Sequence, residues 1–273
     1  MGGMKKFAEK YRYSMILLRE LVKTEFKLKY QNSVLGYLWS ILKPLCVFAV
    51  MYVVFAHIFD IGRDVEHFPV FLLMGIMLWN FFTETVSNGL MSVVSRADLM
   101  RKISFPRYVI ILASGFQASI TMLFSLVILI ILAIVTGVEW SWTALLLPVF
   151  ILKLFVLANA CSFIFAVLYV KTRDMKYVWE VIQQVMFYAT PIVYPIGMVA
   201  AQWPNVARLL MLNPAAEAIQ GARWAVVTRE AQMMTHLTDR WWLVVLPWVI
   251  VMVAVWVAYK LYKRYAPEFA EKA

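Results

Sequence analysis

Six apolar stretches, at residues 36–59, 68–94, 108–136, 142–170, 177–198 and 241–262, constrain this chain more than any other feature. The hydrocarbon core of a bilayer is about 30 Å thick and takes roughly 20 helical residues to cross. Each stretch is long enough, so the sequence predicts an all-α integral membrane protein with six transmembrane helices, folded as a single domain over residues 1–273. Composition agrees: 63% of the 273 residues are hydrophobic and 15% charged, against roughly 45–50% and 25% in soluble domains. The fifth stretch is broken near its end by Pro191, Pro195 and Gly197. The sixth opens on Trp241 and Trp242 and closes on Tyr259 and Tyr262, in the manner of interfacial aromatic belts.

Six spans put both termini on one side, and the Lys/Arg bias of cytoplasmic segments says which. With the termini inside, the inner segments hold nineteen of the 26 Lys and Arg, while the outer ones hold five Arg against seven acids. The net charge of +10 is thus a topology signal that places both termini in the cytoplasm, and it gives no reason to expect nucleic acid as a partner.

Motifs for chemistry are missing. Cys46 and Cys161 each lie in an apolar run, and His57, His67 and His236 are far apart, so neither a disulfide framework nor a metal site is expected. No Gly-Lys pair occurs, hence no phosphate-cradling P-loop, and there is no G-x-S-x-G elbow or dinucleotide fingerprint. The chain is not expected to be an enzyme or to bind a cofactor, although a membrane glycosyltransferase with scattered acids would escape such a search.

Residues 10–33 read as an amphipathic interface helix: Arg19, Lys23 and Lys27 repeat at i, i+4, i+8, with leucines elsewhere on the wheel. A lipid anchor and a partner-docking helix fit this pattern equally well. Residues 199–240 contain two apolar pieces too short to span, separated by Asn213-Pro214. Two short re-entrant helices forming an external gate fit best, with a surface-lying loop as the alternative. Among intramembrane charges, Lys43 and Glu180 sit near the inner boundary and can snorkel. Glu84 and Lys153 lie deeper and either pair or face a wet pathway. Phe48, Tyr52, Phe55 and Phe59 form one helical stripe, which fits helix packing or an aromatic pore lining for sugar rings, extended by Tyr188 and Tyr194.

Five segments in order resemble one family. Tyr30-Gln31-Asn32-Ser33-Val34-Leu35-Gly36-Tyr37-Leu38-Trp39 with Lys43-Pro44 resembles the first span of type-2 ABC exporter permeases of the polysaccharide (O-antigen, capsule) and teichoic acid branch. Arg101-Lys102-Ile103-Ser104-Phe105-Pro106 is similar to its cytoplasmic loop before the third span, and Arg173-Asp174 to its pair after the fourth. Thr190-Pro191-Ile192-Val193-Tyr194-Pro195 resembles its broken fifth span, and Leu212-Asn213-Pro214 its external turn.

The resemblance implies a homodimer of this chain in the bacterial inner membrane with two copies of a separate ABC ATPase, which binds ATP and Mg and supplies the missing motor. Its cargo would be a lipid-linked glycan moved outward. Arg19, Lys23, Lys27, Arg101, Lys102, Phe105, Pro106, Arg173 and Asp174 would couple the chain to that ATPase, so docking outweighs lipid anchoring for residues 10–33. Pro191, Pro195, Asn213 and Pro214 would shape the external gate. A type-2 permease for drugs or other lipids shares the expected fold, and a secondary transporter or membrane scaffold is the alternative of a different class.

Overall fold

The computed structural model describes residues 2–29, 33, 35–63, 65–97, 106–266 and 269, and among them every regular element is a helix. Helix α1 spans Gly2–Lys29, and residues 30–32 of the expected interface helix lie outside the described residues. A 3-10 turn at Gly36–Leu38 leads into α2 (Trp39–Tyr52), which continues as a π-helix over Val53–Ile58. Then follow α3 (Phe68–Ser95), α4 (Tyr108–Val135), and α5 (Leu147–Lys171) entered through a 3-10 turn at Trp142–Leu146. Helix α6 (Met175–Ala189) precedes four short helices, α7 (Ile196–Gln202), α8 (Pro204–Met211), α9 (Pro214–Val226) and α10 (Met234–Leu237), and the long α11 (Trp241–Tyr265).

Among the described residues, five helical stretches are long and apolar enough to cross a membrane: Trp39–Ile58, Phe68–Ser95, Tyr108–Val135, Trp142–Lys171 and Trp241–Tyr265. The fifth apolar run differs from the others. Its helix α6 stops after 15 residues, about 22 Å at 1.5 Å per residue. Pro191 is the cause: the residue before a proline is pushed out of the helical region, and Thr190 is extended at φ −103°, ψ 133°.

Other boundaries have equally local causes. Prolines open α3, α5, α8 and α9 in the first turn, where the absent N–H is not needed. Helix α4 ends in a Schellman turn: Gly137 adopts φ +74°, its N–H bonds the Ile134 carbonyl, and the Val138 N–H reaches back to Ala133. Val138 and Ala133 are both buried, the apolar contact that accompanies this motif.

Helix α3 is the axis of the bundle. It packs on α4 and α5, α5 packs on α11, and α9 lies against both α5 and α3. Its most apolar window is 78% buried, whereas that of α2 has no buried residue. Lipid supplies little hydrophobic drive for helix association, so close contact relies on small residues. Gly89 of α3 faces Ser162 of α5, where an added Cβ would fall 2.5 Å from the serine Cβ, and the Ser162 hydroxyl donates to the Thr85 carbonyl at 3.0 Å.

One end of the bundle is basic. Val93, Ile110, Val167 and Phe269 share a cluster there with Leu21 of α1, joining the end of α3, the start of α4 and the end of α5. The end of α11 meets them, with Arg107 donating to the Ala266 carbonyl and Lys171 lying 4.1 Å from the Tyr265 ring. At the opposite end Ile196, Ala207, Met211, Ala216 and Met234 hold α7 to α10 together.

Candidate functional site

The intramembrane polar residues sort into two groups. The first lines a groove of 530 Å³ between α2, α3, α4 and α6. Asn80, Glu84 and Asn88 recur every four residues along α3 and so form one polar stripe. Lys43 of α2, Thr121 of α4 and Gln183 of α6 complete the polar wall. The Thr121 hydroxyl oxygen is buried without a hydrogen-bond partner among the described residues. Polar groups at this depth are costly against lipid tails, so the groove calls for water, a ligand or a second protein surface. Trp179 seats α6 at its rim: the indole N–H donates to Ser87 at 2.8 Å, and the ring packs 5.1 Å from that of Phe165 and 6.1 Å from that of Phe82.

The second group is closed, and α9 carries it. Thr143 bonds the Ala225 carbonyl at 3.0 Å, Phe150 packs on Gly221, and Lys153 is ion-paired to Glu217, so α9 runs along the first half of α5. The Lys153 ammonium also lies 4.2 Å from the Trp248 ring centroid. Lys153 therefore has a partner 64 residues downstream, and Glu84 lies apart in the groove.

Arg223 is completely buried, at 0% exposure. Its Nε donates to the Phe71 carbonyl at 3.0 Å, Nη1 to the Pro191 carbonyl at 2.6 Å and to Gln220 Oε1 at 2.9 Å, and Nη2 to the Ile192 carbonyl at 2.5 Å. The guanidinium stacks 3.5 Å from the Phe71 ring centroid. Breaking α6 strips carbonyls of their helical donors, and Arg223 satisfies two of them, which joins α9 to the break and to α3. Gly75 makes the room: a Cβ there would lie 2.1 Å from Nη2 of Arg223. Asn213 adds a second tie, capping α9 through the Ala215 N–H while its amide donates to the Thr190 hydroxyl, each at 3.0 Å.

The ABC-2 type transporter family profile matches residues 16–226. This chain belongs to that family. An O-antigen export system permease protein of Myxococcus xanthus is 28% identical over 264 residues, covering 96% of this chain and 97% of the relative. Two of the same description from Klebsiella pneumoniae are 27% and 28% identical over 211 residues, 76% of this chain and 78% of theirs.

The other sequence-derived residues are spread over the ABC-2 bundle. Arg19, Lys23 and Lys27 are exposed on α1, which meets α4 through a Phe26–Phe124 stack at 6.1 Å and pairs its Glu25 with Arg96. Burial lowers the pKa of the Arg96 guanidinium from its ordinary value, and Glu25 supplies its counter-charge. Pro106 is half-buried ahead of α4, whereas Arg101, Lys102 and Phe105 lie outside the described residues. Arg173 lies 5.2 Å from the Tyr169 ring centroid, and both Arg173 and Asp174 are exposed at the start of α6.

The aromatic stripe is divided. Phe48, Tyr52 and Phe55 pack partly against the core, while Phe59, beyond the π-helical segment, is 63% exposed. The groove instead takes Trp39, Lys43 and Val47 from α2. Tyr188 is exposed, and its carbonyl accepts from the Tyr194 hydroxyl at 3.0 Å. Pro195 opens onto α7 beside the outer helices.

Sequence reasoning missed Glu217, Gln220 and Arg223, counting the two charged ones only as residues of an outer segment. A signal was available: the three recur every third position of α9 among Ala215, Ala216, Ala218 and Ala222, a polar stripe in a small-residue helix suited to close packing.

Proposed function

We propose that this chain is the permease subunit of a type-2 ABC exporter that moves a lipid-linked surface polysaccharide of O-antigen, capsule or teichoic acid type outward across the bacterial inner membrane. The observation that carries the reading is the polar groove flanked by α2 and α6, each of which has a single buried residue. Polar groups placed there need a wet path, and a second copy of the chain closing over these faces would create one. The relatives' description as O-antigen export permeases supports a glycan as cargo.

In this reading α6, the Thr190–Pro195 break and α7 together form the fifth of six spans, and α8 and α9 re-enter from outside as the gate shaped by Pro191, Pro195, Asn213 and Pro214. The basic end faces the cytoplasm, with both termini there. Two copies of the chain pair with two ATPase subunits, which bind ATP and Mg. Arg19, Lys23 and Lys27 of α1, the loop with Arg101, Lys102, Phe105 and Pro106, and Arg173 and Asp174 receive the ATPase's rigid-body motion, being continuous with or packed on spans. Phe48, Tyr52, Phe55, Phe59, Tyr188 and Tyr194 line the glycan's path once the second copy is in place, offering apolar ring faces without strong hydrogen bonds.

Depleting the chain from its native cells tests the reading. Surface polysaccharide should fall while lipid-linked glycan accumulates inside; unchanged surface polysaccharide would overturn the proposal.

A further inference from the structure

At the end opposite the basic one, a second cavity of 620 Å³ opens between the end of α2, the start of α7 and the segment joining α9 to α10. It is distinct from the groove, and its lining differs in kind. Asp60, Glu230, Arg229 and His236 line it together with two carboxamides, Gln220 and Gln232, and the Phe59 ring. The Arg229 guanidinium is engaged by the Ser141 hydroxyl and the Trp224 ring, and with two acids, two bases and neutral amides mixed, the cavity has no single charge to attract a simple ion.

Two observations show unmet polar capacity. Gln232 Oε1 is buried with no hydrogen-bond partner among the described residues. Gln220 is held by its oxygen, which accepts from Arg223, so its amide N–H groups are what it has left to offer a cavity occupant. His236 accepts at Nδ1 from the Met233 N–H at 3.1 Å, which makes Nε2 its protonated nitrogen. The site thus presents donors and acceptors side by side, next to an aromatic face that is 63% exposed.

We infer that this cavity is a saccharide subsite on the outer side, in which Gln220 and Gln232 hydrogen-bond hydroxyls of a sugar unit whose apolar face rests on Phe59. Neutral hydroxyls both donate and accept, so they match such a lining where phosphate or an acyl chain does not. An aromatic ring beside planar polar groups gives a sugar both an apolar surface and directional contacts. Because Gln220 also bonds Arg223, occupancy bears on the residue that holds the Thr190–Pro195 break to α9.

This inference rests on the polysaccharide export reading. The full-length permease with its ATPase, in lipid nanodiscs, is mixed with oligosaccharides released by mild acid from the surface polysaccharide of its own cells, and saturation transfer to the sugar protons is recorded. Wild-type protein should transfer saturation, and Gln232→Leu should weaken affinity about tenfold, the effect of one hydrogen bond lost to a buried group. Gln232→Glu keeps an acceptor oxygen and should restore much of the signal; Phe59→Leu offers a second route should Gln232→Leu reduce folded yield. No transfer to wild type, or equal transfer to wild type, Gln232→Leu and Phe59→Leu, overturns the subsite. If depletion of the chain stops surface polysaccharide export while transfer is absent, only the subsite fails; if depletion leaves export intact, the functional reading fails with it.

Discussion

The groove and the α9 clamp place similar residues in an apolar bundle and treat them oppositely. Around α9, Lys153 has Glu217, and Arg223 donates to three carbonyls and a carboxamide, with no bulk water needed. In the groove, Lys43 and Glu84 share an open cavity with amides and hydroxyls, and the Thr121 hydroxyl there has no hydrogen-bond partner among the described residues. A charge sealed by protein partners fixes structure, since its removal strands those partners. An exposed charge at the rim of an open polar cavity, such as Lys43, adds little to stability.

Substitutions can break this contrast. The largest loss of stability is expected at Arg223: Arg223→Met leaves the Pro191 and Ile192 carbonyls without their donor, on the order of 3–5 kcal/mol. The midpoint of heat-induced aggregation in detergent should drop sharply, and a wild-type midpoint would show that the clamp bears no load. Lys153→Met alone should cost about 3 kcal/mol by leaving Glu217 buried and unpaired, while Lys153→Met with Glu217→Leu should return most of it. Equal losses in the single and double variants would mean that the ion pair itself is not the relevant contact. Gly75→Ala should cost about 1–3 kcal/mol because its methyl collides with the guanidinium, and the same melting measurement applies.

The smallest effect on stability should come from the groove. Lys43→Gln is expected to shift stability by no more than about 0.5 kcal/mol. Surface polysaccharide in cells relying on this variant should nevertheless fall severalfold. A strong melting defect with normal export would reverse the assignment of the two regions. Replacing Tyr52 and Phe55 together with Ala separates the two meanings of the aromatic stripe: reduced export at unchanged protein level marks a pathway, and unchanged export marks packing.

Much of the helical plan is local and therefore legible. Pro191 ends α6 and Gly137 ends α4 through backbone geometry that depends on neighbouring residues alone. The apolar runs at 68–94 and 108–136 became the helices Phe68–Ser95 and Tyr108–Val135, because length and hydropathy suffice for an intramembrane segment. The stripe of Phe48 to Phe59 holds only on an ideal α-helix, whereas the chain widens to a π-helix at Val53, and the exposed Phe59 parts from its half-buried neighbours.

What the sequence by itself determined is thus the helical membrane class of the fold and the helix ends set by Pro191 and Gly137, consequences of short-range sterics and of transfer between water and lipid. Only the tertiary structure decided which charges meet. Lys153 found Glu217 across 64 positions, and Arg223 found carbonyls 31, 32 and 152 positions away, because α9 folds in beside α5 and α3. Pairing in an apolar interior depends on which helices become neighbours, and no local rule encodes that.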